Sequence, residues 1–185
     1  LRNPLDLYVS HYEFGWWKHD NYRPYFDVVE NFEERFPTFP NITFQEFLVL
    51  DYETHNVFFD DGLFGNKGFG MGTVRFVKHF ARNQKQLLPK LAAIDWSIFD
   101  LKSELYPLYF LRTNRLNQDL VEFLLRIGFK NEEVQFIRAK EKVMPLGKGR
   151  TKDQNWQKYY SPELLETVLK KDKLIFDLFP EFYPD

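Results

Sequence analysis

The chain has 185 residues, 44% hydrophobic and 28% charged, and a formal net charge of −2. These proportions suit a folded domain, exclude a disordered or collagen-like chain, and leave no global basic field to recruit nucleic acid. Cysteine is absent and aromatic residues reach 19%, which excludes a disulfide scaffold, a thiolate nucleophile and Cys-ligated zinc, while supplying bulk for a core. One domain spanning residues 1–185 is the natural expectation. No apolar run approaches the ~20 residues of a membrane helix.

Leu1-Arg2-Asn3-Pro4 reads as the last step of a strand entering a helix, which predicts an N-terminally incomplete domain. Pro4 suits the first helical position, because its missing N–H needs no partner there. Leu5, Tyr8, Val9, Tyr12 and Trp16 then recur at helical spacing. A second helix is predicted from Pro24, with Tyr25, Val28, Val29, Phe32 and Phe36 on one face, ended by Pro37 and Pro40. Thr43 and Glu46 fit a capping box ahead of Phe44, Phe47 and Leu48. Residues 51–72 hold five of the nine glycines and read as a loop. Val74, Val77, Phe80 and Ala81 resume helical spacing.

Leu108 to Leu111 is the best internal strand, with Pro107 at its start. Leu116, Leu120, Phe123, Leu124 and Ile127 form a helical stripe, and Gly128 sits where a C-terminal cap belongs. A short helix is predicted after Asn131. Val143 to Tyr159 is polar and basic and reads as a loop. Ser161-Pro162-Glu163 starts a last helix that runs toward Phe179 and stops at Pro180. A strand feeding straight into a helix is an α/β signature, although only about two strands are visible.

The segment from Leu1 to Phe14 carries the most chemistry. Arg2 precedes a helix N-terminus, where backbone N–H groups and the helix dipole favour an anion. Ser10 lies two turns along. A guanidinium fork and a hydroxyl are both donors to phosphate oxygens; the plainer reading is a salt bridge and an exposed serine. Far downstream, Gly147-Lys148-Gly149-Arg150 pairs two cations with glycines that let the backbone approach an anion. Its plain reading is a solvated basic loop.

Arg-Asn-Pro-x-Asp followed by Ser, Tyr and Phe resembles the 3′-phosphate-binding motif of sulfotransferases, which use 3′-phosphoadenosine-5′-phosphosulfate as donor. Arg2 and Ser10 match the positions that hold the 3′-phosphate. Lys148, Gly149 and Arg150 resemble the late basic loop that closes over it. The run from Tyr109 to Gly128 is similar to the middle of carbohydrate-type sulfotransferases, and Trp156 to Phe179 to their helical end. The resemblance implies an α/β, P-loop nucleotide-kinase-like fold, of which this chain would be the helix-rich C-terminal part. It implies sulfuryl transfer to a hydroxyl or amine, with a small molecule or glycan as acceptor, and needs no metal. The family's phosphosulfate loop and general base precede the Arg-Asn-Pro motif. Neither maps onto a residue here, so no catalytic residue is assigned and the chain alone is expected to be inactive. The alternatives are a non-catalytic nucleotide- or glycan-binding remnant, a helical interaction protein, or a kinase-like enzyme sharing only the phosphate-handling turn.

Gly65 to Thr73 contains a Lys and a Thr ahead of a helix, but lacks the Gly-Lys-Ser/Thr ending of a phosphate cradle. An acceptor-side loop fits it better. His11, His19, His55 and His79 show no metal spacing; His55 beside Asp60 and Asp61 is the candidate for acceptor contact or proton transfer, and its plainer reading is a lone surface histidine. Trp16 and Trp17 fit a packed helix end or an aromatic ligand face. Lys170 to Lys173 reads as a solvated helix face. The lack of Cys and of an apolar anchor favours a cytoplasmic location.

Overall fold

The computed structural model describes residues 1–59, 68–93, 101–140, 151 and 153–184. The fold is helix-rich. Its α-helices are α1 (Pro4–Phe14), α2 (Phe32–Arg35), α3 (Phe44–Phe59), α4 (Met71–Phe80) and α5 (Gln84–Ala93), followed by α6 (Leu101–Glu104), α7 (Leu116–Arg126), α8 (Asn131–Val134), α9 (Pro162–Lys171) and α10 (Lys173–Leu178).

Local chemistry sets several of these ends. Asn3 caps α1 by accepting the Leu5 N–H, and Gly15 closes the helix at φ 65°. Glu46 accepts the Thr43 N–H at 2.7 Å while Thr43 Oγ1 accepts the Glu46 N–H at 3.2 Å, the reciprocal pair of a capping box. Gly128, at φ 103°, ends α7 by donating to Leu125, as its place in the sequence predicts. Ser161 caps α9 with Pro162 at the first position.

The central element is α4, whose Met71, Val74, Phe76 and Val77 are all buried. It packs against α3, α5 and α10, and α1 lies on α3. Leu5, Tyr8 and Val9 of α1, Phe47 and Leu48 of α3, Leu87 and Leu88 of α5, and Ile175 and Phe176 of α10 complete one continuous core. Each such side chain contributes roughly 1.5–3 kcal/mol through burial. Trp17 is 1% exposed among Tyr12, Phe39 and Phe47, so it is a core residue and offers no ligand face.

Four sequence expectations are corrected. The helix predicted from Pro24 is instead a 3₁₀ stretch, Asp20–Phe26, a turn and α2, because Asn31 adopts φ 52° and breaks the run. The loop expected from Asp51 is helical as far as Phe59; Asp51, Tyr52 and Thr54 are buried there, so polar side chains continue the inner face. His55 therefore lies in α3, whereas Asp60, Asp61 and residues up to Lys67 fall outside the described residues. The last helix breaks at Asp172, which is fully buried; within the lysine run Lys170 and Lys173 are exposed as expected, and Lys171 is half-buried.

The fourth correction concerns the strands. Among the described residues no strand forms; there is one isolated antiparallel bridge, Ala81 to Leu105. Leu108 to Leu111 is outside any helix but has no ladder. The Leu1 nitrogen donates to the Leu111 carbonyl, and the Thr113 N–H donates to the Leu1 carbonyl at 2.9 Å. Those two bonds have the slanted register of a parallel pair, with Leu1 facing Arg112. The two segments read as strands thus lie side by side, with too few residues paired to make a sheet.

Candidate phosphate-binding face of the first helix

Arg2 sits between that parallel contact and the helix it opens. Asn3 fixes the turn: Oδ1 caps α1 at 2.9 Å and Nδ2 donates to the Phe182 carbonyl at 3.0 Å. Across from it, Arg112 donates to Asp119 through Nε at 2.8 Å and Nη2 at 2.9 Å, and its backbone N–H adds a third bond at 2.9 Å. This charge-assisted fork ties the extended segment to α7 and holds the Asp119 carboxyl down at about 2. Arg2, half-buried, is anchored at both flanks.

Ser10 is half-buried on α1, about 9 Å along the axis from Pro4 at 1.5 Å per residue. Glu13 follows three positions later, on the same side of the helix. Its carboxylate accepts the Tyr159 hydroxyl at 2.6 Å and the Gln154 side-chain amide. Gln154 in turn accepts the Thr151 N–H at 2.8 Å. Tyr160 donates to the Leu5 carbonyl at 3.1 Å and meets Phe44 edge-on. Gln154, Tyr159 and Tyr160 are therefore docked on α1, at Glu13, Tyr12 and the Leu5 carbonyl. Lys148, Gly149 and Arg150 themselves lie outside the described residues.

His11 and Arg75, which the sequence reading did not assign to the site, add a second feature. His11 Nε2 lies 3.2 Å from Arg75 Nη1. Burial, then the charges of Arg75 and Arg2, push the imidazole down to about 4. A neutral ring facing a guanidinium accepts at Nε2, which puts the ring proton on Nδ1. That Nδ1 is buried and has no hydrogen-bond partner among the described residues. Arg75 follows Met71 by one turn, and that spacing is the signal that could have placed it on an inner flank of α4.

The glycine-rich segment leads into α4, whose N-terminus is filled by the chain itself. Asp172 Oδ1 accepts the Thr73 N–H at 2.7 Å, Tyr8 donates to Asp172 Oδ2 at 2.8 Å, and the Met71 N–H donates to the Tyr8 oxygen at 2.8 Å. A carboxylate and a hydroxyl thus take two of the donors a phosphate would take, the Met71 and Thr73 N–H groups. The end of this segment is no phosphate cradle; Gly65 to Lys67 lie outside the described residues. Burial pushes Asp172 up to about 6 and its neighbour Asp51 up to about 8. The Lys171 ammonium rests over the Tyr52 ring at 4.6 Å.

Among the described residues, no cluster of three or more His, Asp or Glu side chains is arranged to hold a metal ion. No helix among them is long and apolar enough to cross a membrane. Comparison of the chain with protein-family models, with curated proteins and with solved structures found no match.

Proposed function

We propose that this chain grips the nucleotide of a sulfuryl-transferring enzyme. It binds the 3′-phosphate of 3′-phosphoadenosine-5′-phosphosulfate through Arg2 and Ser10 and through the basic run Lys148, Gly149 and Arg150. The reaction is in-line transfer of the sulfuryl group to a hydroxyl or amine, on a small molecule or glycan, with a base taking the acceptor proton. The complete fold in this reading is the nucleotide-kinase-like parallel sheet flanked by helices.

The observation that carries the reading is the docking of Gln154 and Tyr159 on Glu13 of α1, with Thr151 bonded to Gln154. It brings the chain that leaves Arg150 to the helix that Arg2 opens. The parallel contact of Leu1 with Leu111 and Thr113 supports the sheet-to-helix turn that the motif needs. Titration calorimetry tests it: adenosine 3′,5′-bisphosphate should bind more tightly than adenosine 5′-phosphate, and equal affinity would remove the reading.

A second reading, a helical interaction protein, rests on one observation. Tyr106, Ile127, Phe129 and Phe136 are each about half exposed, at 51%, 55%, 48% and 58%. They flank or follow α7 and leave apolar surface in solvent. Sedimentation velocity checks the simplest form: concentration-dependent association abolished by Phe136→Ser would favour it, and a monomer at all concentrations would remove that form.

A further inference from the structure

We infer that the backbone edge of residues 107–111 receives one short parallel strand, apolar on both faces, that runs into Leu1 from its amino side. The inference needs no bound nucleotide and stands apart from the reading above.

The Leu1 contact fixes the register. Its nitrogen donates to the Leu111 carbonyl, and its carbonyl accepts the Thr113 N–H at 2.9 Å. In a parallel ladder this pattern repeats at every second residue. The Leu111 N–H and the Tyr109 carbonyl come next on the same edge, opposite the second residue ahead of Leu1. The Tyr109 N–H and the Pro107 carbonyl lie opposite the fourth. None of these four groups has a hydrogen-bond partner among the described residues. Pro107 has no N–H, so the edge takes about four residues. The opposite edge is closed at both ends: the Tyr106 N–H donates to Phe80 at 3.0 Å and the Arg112 N–H to Asp119 at 2.9 Å.

Both faces suit such a strand. Tyr109 meets Phe123 of α7 at 5.0 Å, whereas Phe110 packs on Phe76 of α4 at 5.7 Å and on Phe179 at 5.2 Å. Neighbouring residues thus face different helices, the setting of a parallel strand that is apolar on both faces. Residues 106–111 carry no charge, and Leu108 and Tyr109 are 38% and 37% exposed. An uncharged edge left open in this way is a template for pairing. A strand joined to Leu1 is favoured over a separate peptide or a second copy. Leu1 holds the next place in the ladder, and a joined strand loses no freedom of association.

The test adds four residues ahead of Leu1 and reads amide hydrogen exchange by NMR. The arms are Val-Ile-Val-Ile, the same run with Pro in its third place, and Gly-Ser-Gly-Ser. A Val-Thr-Val-Thr run, strand-prone and more soluble, repeats the first arm. The strand-prone runs should slow exchange at Leu111 and Tyr109 roughly 3- to 10-fold relative to Gly-Ser-Gly-Ser. Leu108 and Phe110, whose N–H groups point the other way, should stay within about 2-fold. Proline in the third place removes the donor to the Tyr109 carbonyl and should cancel the effect. Equal exchange at Leu111 and Tyr109 in the strand-prone and Gly-Ser-Gly-Ser arms overturns the inference. So does equal slowing at all four amides, which marks general stabilisation. Protection that needs no extension and rises with protein concentration puts a second copy on the edge and overturns it too. Bisphosphate binding is read separately by calorimetry, so either reading can fail without the other.

Discussion

The carboxylate of Asp172 accepts the backbone N–H of Thr73 at 2.7 Å, across 99 positions of sequence. A helix N-terminus that most sequences cap from the preceding residue is capped here from the far end of the chain. Gly70 stands at the N-cap position and contributes no side chain. Its own N–H goes to the Lys171 carbonyl at 2.9 Å. A Cβ at Gly70 would overlap the Asp172 carboxylate, and one at Gly72 would come within 3.0 Å of it. The glycines are therefore there for close approach, and α4 is fastened to the α9–α10 break.

Asp172→Ala should destabilise the fold by roughly 3–5 kcal/mol, because it strands the buried Thr73 N–H and Tyr8 hydroxyl. Gly70→Ala should cost about 1–3 kcal/mol by overpacking. Asp172→Asn keeps one acceptor oxygen and should lie closer to wild type than Asp172→Ala. Urea unfolding of the three variants checks the order. Wild-type stability in Asp172→Ala would show that the carboxylate does not hold α4.

Asp51 gives the fold a slope against pH. Its carboxyl, raised by burial from 3.8 to about 8, binds a proton more readily folded than unfolded. Stability should therefore fall as pH rises from about 6.5 to about 8, by at most roughly 2 kcal/mol. In that window Asp172, raised to about 6, is mostly ionised, and His11, lowered to about 4, is neutral in the folded state. Below pH 6.5 the depressed His11 removes stability as it is forced to charge, opposing the two acids. Thermal melts at several pH values should show the decline above 6.5, and Asp51→Asn should flatten it. An unchanged slope in Asp51→Asn would assign the effect elsewhere.

The Arg112–Asp119 pair fastens the segment beside Leu1. Asp119 is buried and held at about 2, chiefly by the Arg112 hydrogen bonds, so this contribution is present above pH 4 and lost as pH falls toward 2. Asp119→Ala should cost roughly 2–3 kcal/mol at pH 7 and increase hydrogen exchange at Thr113. Exchange at Thr113 unaltered by the substitution would separate the pair from the parallel contact.

Caps were the most legible part of the fold. Pro4, Thr43 with Glu46, Gly128 and Ser161-Pro162 act locally, and each is where the sequence puts it. What escaped the reading was polar burial. Asp51 and Tyr52 interrupt the apolar stripe of α3, so the helix reads as a loop, although both side chains face inward. Asp172 hides within lysines, yet it lies four residues after buried Val168 and three before buried Ile175, the spacing of an inner face. Arg2 and Ser10 stand out because their chemistry is local to one helix. Glu13, His11 and Arg75 matter only through partners 64 to 146 positions away, and no local pattern announces such partners.

The central claim is that Arg2 grips a 3′-phosphate, and calorimetry on Arg2→Ala tests it most directly. A hydrogen bond to a charged group contributes about 1.5–3 kcal/mol, so the substitution should weaken adenosine 3′,5′-bisphosphate roughly 10- to 150-fold. Binding of adenosine 5′-phosphate should change little, and Ser10→Ala should lose less, since a hydroxyl brings no charge. Circular dichroism establishes that each variant is folded. An Arg2→Ala protein that is folded and binds the bisphosphate as tightly as wild type would contradict the account and leave the Arg-Asn-Pro turn a purely structural one.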